Sequence, residues 1–195
     1  MMKTVLASNS PRRKELFARI CPEFSVCPAD ADESLPTGIA PADGVRILAE
    51  RKARAVYDRL IAEGEKELVV LGSDTVVAYE GEILGKPKDE EDAFRMLRLL
   101  SGRTHEVYTG ICFVTAKGKG TDCVRSEVTF RTLTDEEIRA YIATGSPMDK
   151  AGAYGVQDGA VVAGYAGSYT NIVGLPVEET EKLYEEVKKN VEIGD

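Results

Sequence analysis

Four consecutive apolar residues, Leu68-Val69-Val70-Leu71, run without a polar break into Gly72-Ser73-Asp74-Thr75. Such a run reads as a central strand covered on both faces. A strand covered twice needs helices above and below the sheet, and the flanking sequence supplies them. Residues 41–62 carry Val45, Leu48, Ala49, Val56 and Leu60 at the spacing of one helical stripe, with Gly64 at the C-terminal end. Ser10 is a good N-cap and Pro11 a good first helical residue for a helix to about residue 20. Asp89 caps a helix through Leu100, stopped by Ser101-Gly102, and Thr134 with Glu137 makes a capping box for a helix to about Thr144. Pro176 starts a last helix that ends at Lys188-Lys189. Further strands are expected at 4–7, 24–27, 107–116, 123–133 and 161–166, with a hairpin of 76–79 and 82–84 across Glu80-Gly81. This alternation predicts an α/β fold with a mixed sheet and no linker between independent domains.

Length and charge narrow the function. The 195 residues suit one domain, or one elongated domain (1–195) with two lobes. Lys plus Arg is 25 and Asp plus Glu is 33, a net charge of −8. That balance argues against a nucleic-acid polymer or an anionic membrane as partner. It leaves room for a small anion, because a few cations gathered in one cleft outvote the average locally. The N-terminal apolar run is too short for a signal peptide, and no segment approaches the ~20 residues of a membrane span, so a cytoplasmic protein is expected. Cys21, Cys27, Cys112 and Cys123 form no two-residue-spaced pair and His105 is the single histidine, which argues against structural zinc or haem. The cysteines are read as reduced and mostly buried, and His105 as structural.

Five places stand out for chemistry. The turn Ser8 to Arg13 joins a strand to a helix N-terminus, where backbone N–H groups attract anions, and Arg12 and Arg13 add guanidinium forks suited to phosphate oxygens. Cations there oppose the helix dipole, which hints at function, although a solvated basic turn would look the same. Lys52 falls inside the apolar stripe of the long helix, so it either snorkels to water or faces an anion in a cleft. Asp74 follows a buried strand, where α/β proteins place metal ligands and general bases; an Asx-type turn is the alternative. Gly85-Lys86-Pro87 is a rigid lysine-bearing loop. The segment Asp149-Lys150-Ala151-Gly152-Ala153-Tyr154-Gly155-Val156-Gln157 has glycines that permit close approach and a glutamine able to read a base edge, or is an ordinary loop. Glu33 lies in an acidic loop. Separated cations, one or two carboxylates and small-residue loops together describe a cleft for a polyphosphate with a divalent metal.

The ordered set of motifs is familiar. Leu6-Ala7-Ser8 with Ser10-Pro11-Arg12-Arg13, Asp32-Glu33, Leu48-Ala49 with Lys52-Ala53, Gly72-Ser73-Asp74-Thr75-Val76-Val77, Gly85-Lys86-Pro87, Leu100-Ser101-Gly102, Thr109-Gly110, the Asp149 to Gln157 segment and Gly174-Leu175-Pro176 occur in family order. From about Val5 to Pro176 the chain resembles the Maf (septum-formation-inhibitor-like) nucleoside triphosphate pyrophosphatases. The resemblance implies an elongated mixed-sheet fold related to the inosine triphosphatases, with a central cleft and often a homodimer. It implies hydrolysis of a nucleoside triphosphate to the monophosphate and pyrophosphate with Mg²⁺ or Mn²⁺. Arg12, Thr75 and Gln157 match the branch acting on dTTP and UTP rather than the one acting on 7-methyl-GTP. By the same resemblance Asp74 is the proton acceptor, Glu33 and Asp74 hold the metal, and Arg13, Lys52, Lys86 and Ser8 engage the triphosphate. Arg12, Thr75 and Gln157 shape the base pocket, and Lys150 is a further anion contact. The rival expectations are the same chemistry on another nucleotide, and a non-catalytic regulator of septum formation.

Overall fold

The computed structural model describes residues 2–192. In chain order the strands are β1 (Lys3–Leu6), β2 (Ser25–Val26), β3 (Leu68–Tyr79), β4 (Glu82–Leu84), β5 (Thr104–Thr115), β6 (Gly118–Phe130) and β7 (Val162–Ala166). The helices are α1 (Pro11–Ala18), α2 (Pro41–Ala62), α3 (Glu90–Leu100), α4 (Asp135–Ala143), α5 (Tyr169–Val173) and α6 (Val177–Glu192), and three 3₁₀ turns at Ser146–Asp149, Ala151–Ala153 and Val156–Asp158 precede β7. The strands form one mixed sheet in the order β2-β1-β3-β5-β6-β7, with β4 on the edge of β3. β1 runs parallel to β2 and β3, and the remaining pairs are antiparallel.

The apolar run behaves as its composition requires. Leu68 and Val70 point into a layer with Ala49, Ala53 and Val56 of α2, while Val69 and Leu71 point the other way, into Leu16 and Phe17 of α1 and Tyr184 and Val187 of α6. A third cluster lies toward the far end of β3, where Val77 and Leu84 meet Leu97, Leu100, Ile138 and Tyr154. The predicted caps form: Ser10 accepts from the Arg13 N–H, Asp89 from the Asp92 N–H, and Thr134 and Glu137 close a reciprocal capping box. No helix among the described residues is long and apolar enough to cross a membrane.

The structure departs from the sequence expectations at several points. The strand at 68–71 and the hairpin arm at 76–79 are one twelve-residue strand, so Asp74 lies in mid-strand and not in a turn beyond a strand end. β5 explains this by pairing with β3 continuously from Val70 to Ala78, which holds the turn-like Gly-Ser-Asp-Thr segment extended. The strand expected at 24–27 shrinks to two exposed residues. The first helix stops at Ala18, and the strand expected at 123–133 begins at Gly118 and ends at Phe130. The short helix α5 stands where no element is expected from sequence. All four cysteines are free as expected, but Cys112 alone is fully buried.

Candidate active site

One edge of β3 makes the site. Along it, Leu68 to Leu71 pair with β1 and Val77 to Tyr79 pair with β4. Residues 72–76 have no strand partner on that edge among the described residues, and the cleft opens there. Side chains alternate across a strand, so this gap sends neighbours to opposite faces. Asp74 points toward α2 and meets Lys52, while Thr75 points toward α1 and meets Arg13. Close packing enables the first contact: a Cβ on Gly72 would lie 2.1 Å from the Ala49 carbonyl oxygen and 2.6 Å from the Ala53 nitrogen, so α2 rests directly on the strand.

The cleft encloses about 600 Å³. Ser8, Arg12, Arg13, Glu33, Lys52, Asp74, Thr75, Lys86, Lys150 and Gln157 all line it, so the ten residues given a site role by the resemblance come to one cavity. Its walls carry five cationic side chains and three carboxylates, a net positive charge in a chain of net charge −8.

The Lys52 ammonium lies 2.6 Å from Asp74 Oδ1 and 2.7 Å from Glu33 Oε1, with 15% of its side chain exposed. Facing the cleft is therefore its state, and the snorkelling alternative falls. The hydrogen bond from Lys52 holds the Glu33 carboxyl below its ordinary pKa, against the opposing effect of partial burial. Lys86 and Arg13 lower it further through their charge.

Two hydrogen bonds fix the Arg13 guanidinium. Its Nε donates to the Gly174 carbonyl at 2.9 Å and its Nη2 to the Thr75 hydroxyl at 3.0 Å. Thr75 Oγ1 lies 2.8 Å from Thr109 Oγ1, which donates to the Asn171 carbonyl. Burial and the charge of Arg12 pull the Arg13 pKa down, Asp74 and Glu33 pull it up, and an arginine stays charged at neutral pH regardless. The Thr75 hydroxyl is thus engaged with protein groups. Arg12 lies 4.0 Å from Asp149 across the cleft mouth. The Lys150 ammonium reaches the Ser146 carbonyl at 2.5 Å, the Ser146 hydroxyl at 2.9 Å and Asp149 at 3.0 Å, so three acceptors of its own loop surround it. Ser8 Oγ accepts from the Ser10 N–H and shapes the turn into α1.

Sequence reasoning gave no role to several groups that build this site. Gly174, Thr109 and Asp149 lay in quoted motifs, but the signal for their tasks is tertiary: the Gly174 carbonyl meets Arg13, the Asp149 carboxylate faces Arg12, and the Thr109 hydroxyl meets Thr75, each far away in sequence. His105 is structural as expected. It is 1% exposed, and its Nε2 lies 2.7 Å from the hydroxyl of Tyr154, a residue that lines the cleft.

A family model described as Maf-like protein matches residues 3–187. The chain belongs to the Maf-like family. A relative from Moorella thermoacetica is 52% identical over 187 residues, covering 94% of each chain, and bears the name dTTP/UTP pyrophosphatase. A relative from Thermococcus kodakarensis with the same name is 49% identical over 183 residues, covering 93% of this chain and 95% of its own. A third, from Agathobacter rectalis and again so named, is 47% identical over 97% of this Maf-like chain and 98% of its own. Among solved structures, the Staphylococcus aureus Ham1 protein covers 66% of this chain and 71% of its own with a TM-score of 0.44 and 17% identity, too distant a likeness to add to the assignment.

Proposed function

We propose that the chain hydrolyses dTTP and UTP to the nucleoside monophosphate and pyrophosphate, with Asp74 as the base that activates the attacking water. The observation that carries this reading is the Glu33–Lys52–Asp74 cluster, set in the open edge of β3 and faced by Arg13 and Lys86. The names of relatives covering more than nine-tenths of the chain support the substrate.

Displacement at phosphorus depends on positioning and charge neutralisation more than on covalent chemistry. Arg13 and Lys86 hold the triphosphate. Lys52 holds Asp74 in place by an ion pair and keeps the Glu33 carboxyl ionised, while Asp74 takes a proton from water as it attacks the α-phosphorus and pyrophosphate leaves. A divalent cation fits the donor set. The two carboxylates already converge on one cationic group, and Mg²⁺ typically takes one or two protein carboxylates and fills its shell with phosphate oxygens and water. Among the described residues no group of three acidic, His or Cys side chains forms a fuller cage. When bound, such an ion neutralises charge on the phosphate oxygens. Arg12, Thr75 and Gln157 wall the base side of the cleft, and the Thr75 hydroxyl also holds Arg13 in place.

Pyrophosphate release from a nucleotide panel with Mg²⁺ or Mn²⁺ tests the proposal. Rapid release from dTTP and UTP, with little from purine nucleotides or 7-methyl-GTP, is the expected result. Turnover of another nucleotide alone keeps the chemistry and discards the base assignment. A folded protein that releases nothing from any of them overturns the proposal and favours a binding role.

A further inference from the structure

Gln157 occupies the middle of a single 3₁₀ turn, Val156–Asp158, at the base side of the cleft. One hydroxyl outside the cleft wall holds both ends of that turn. Tyr141 Oη accepts from the Gly155 N–H at 3.0 Å and donates to Asp158 Oδ2 at 2.6 Å. Asp158 Oδ2 also accepts from the Ser146 hydroxyl at 2.7 Å, and Ser146 is the residue whose hydroxyl and carbonyl hold the Lys150 ammonium. The Lys150 stem returns beneath Gly155, where a Cβ would lie 2.9 Å from Lys150 Cε and 3.1 Å from Gln157 Oε1. A continuous polar circuit thus runs from Tyr141 on α4, through Asp158 and Ser146, to Lys150, and the turn held by Tyr141 and Asp158 carries Gln157. Burial, and then the Asp158 carboxylate, push the Tyr141 pKa up, so its proton stays available for the bond to Asp158.

We infer that Tyr141 and Asp158 are positioning residues for base recognition: they clamp the turn that presents Gln157, and so set pyrimidine selectivity without touching substrate. The inference rests on the proposed nucleotide reading. Its physical basis is that Gln157 can discriminate bases only from a fixed backbone, since a swinging amide satisfies any edge. Gln157 is exposed, so the placement of its amide depends on what holds its turn. Lys150 enters as a brace for this turn, its ammonium already surrounded by Ser146 and Asp149.

The test compares Tyr141→Phe, Asp158→Ala and Asp158→Asn with wild type on UTP, dTTP and CTP, separating kcat from KM and measuring thermal unfolding. Tyr141→Phe keeps the buried ring and removes only the hydroxyl. The expected result is a rise of about tenfold in KM for UTP and dTTP, kcat within about twofold, and a smaller preference over CTP. Asp158→Ala should behave alike. Asp158→Asn, which still accepts from Tyr141, should recover most of the preference. Unchanged nucleotide preference in folded Tyr141→Phe and Asp158→Ala overturns the inference. So does a loss of kcat that is equal for all three nucleotides and tracks a fall in unfolding temperature, because that is the mark of a purely structural pair. Should Tyr141→Phe not fold, Asp158→Ala at its exposed position decides alone. Wild type that turns over none of the three defeats the nucleotide reading itself, and this inference with it.

Discussion

Lys52 sits between two carboxylates, and that placement ties the position of all three groups together. A largely covered ammonium is tolerable here because two carboxylates neutralise it, and its hydrogen bond in turn keeps the Glu33 pKa low. Asp74→Asn tests the base. The amide keeps an oxygen for Lys52 and roughly the same volume, but it cannot accept a proton at neutral pH. Turnover should fall by about 10² to 10⁴, the usual worth of a positioned base, while thermal unfolding stays near wild type. A variant with wild-type kcat would assign proton transfer to another group. Lys52→Met tests the charge coupling. Removing the hydrogen bond that lowers the Glu33 pKa leaves two carboxylates facing each other, so the acid limb of the kcat/KM profile should move to higher pH. An acid limb that stays in place would show that Lys52 does not govern these carboxylates.

At the scale of elements, the decisive fact is how near α2 lies to β3. Gly72 and Gly110 give the sheet two points without side chains, and the backbone of α2 rests on both: a Cβ on Gly110 would lie 2.3 Å from the Val45 carbonyl oxygen. Ala49 and Ala53 flank Gly72, and Lys52 lies between them in sequence, so the contact that seats the helix also delivers the ammonium to Asp74. Gly72→Ala forces backbone against backbone, where no rotamer change gives relief. It should destabilise the protein by about 3 kcal/mol, at the upper end of ordinary overpacking. It should also impair turnover at temperatures where the variant remains folded, as measured by urea unfolding and by kcat on the same preparation. An undisturbed kcat would separate the seating of the helix from the placement of Lys52.

These elements also show what was legible in advance. The stripe on α2, the caps of α1, α3 and α4 and the apolar run of β3 are local signals, and each produced its element. The merging of 68–71 with 76–79 was not legible, because Gly-Ser-Asp-Thr has the composition of a turn and its extended state depends on pairing with β5, some 35 residues away. The residues of the cleft were legible as a set of unusual chemical placements: a lysine in an apolar stripe, arginines at a helix N-terminus, an acid after a buried strand. Which of them meet was not, since Arg13 with Gly174 and Tyr141 with Asp158 are fixed only by tertiary packing.

At the scale of the molecule, charge and burial are distributed against each other. The surface is acidic overall while the cleft is net cationic, which draws a polyanion to one place and repels it elsewhere. The opposite arrangement governs acid stability, through one uncharged side chain. His105 is packed edge-on against Phe130 and Tyr154, with ring centroids at 4.9 and 5.2 Å, and its Nδ1 has no hydrogen-bond partner among the described residues. Burial lowers its pKa from 6.5 to about 4. The unfolded chain therefore binds a proton at His105 near pH 6.5, and the folded chain resists doing so until about pH 4. Stability is unaffected by this group above pH 6.5, falls as pH drops through that window, and levels off below it. The displacement corresponds to a loss of about 3 kcal/mol across the window. His105→Gln carries no titrating group, so its urea midpoint should decline less than that of wild type between pH 7 and pH 4.5. The comparison is one of slopes, because Gln also changes the packing and shifts both ends of the curve together. Equal slopes would mean that His105 takes up its proton in the folded state without cost, and that the aromatic pocket behind Tyr154 is open to charge and water.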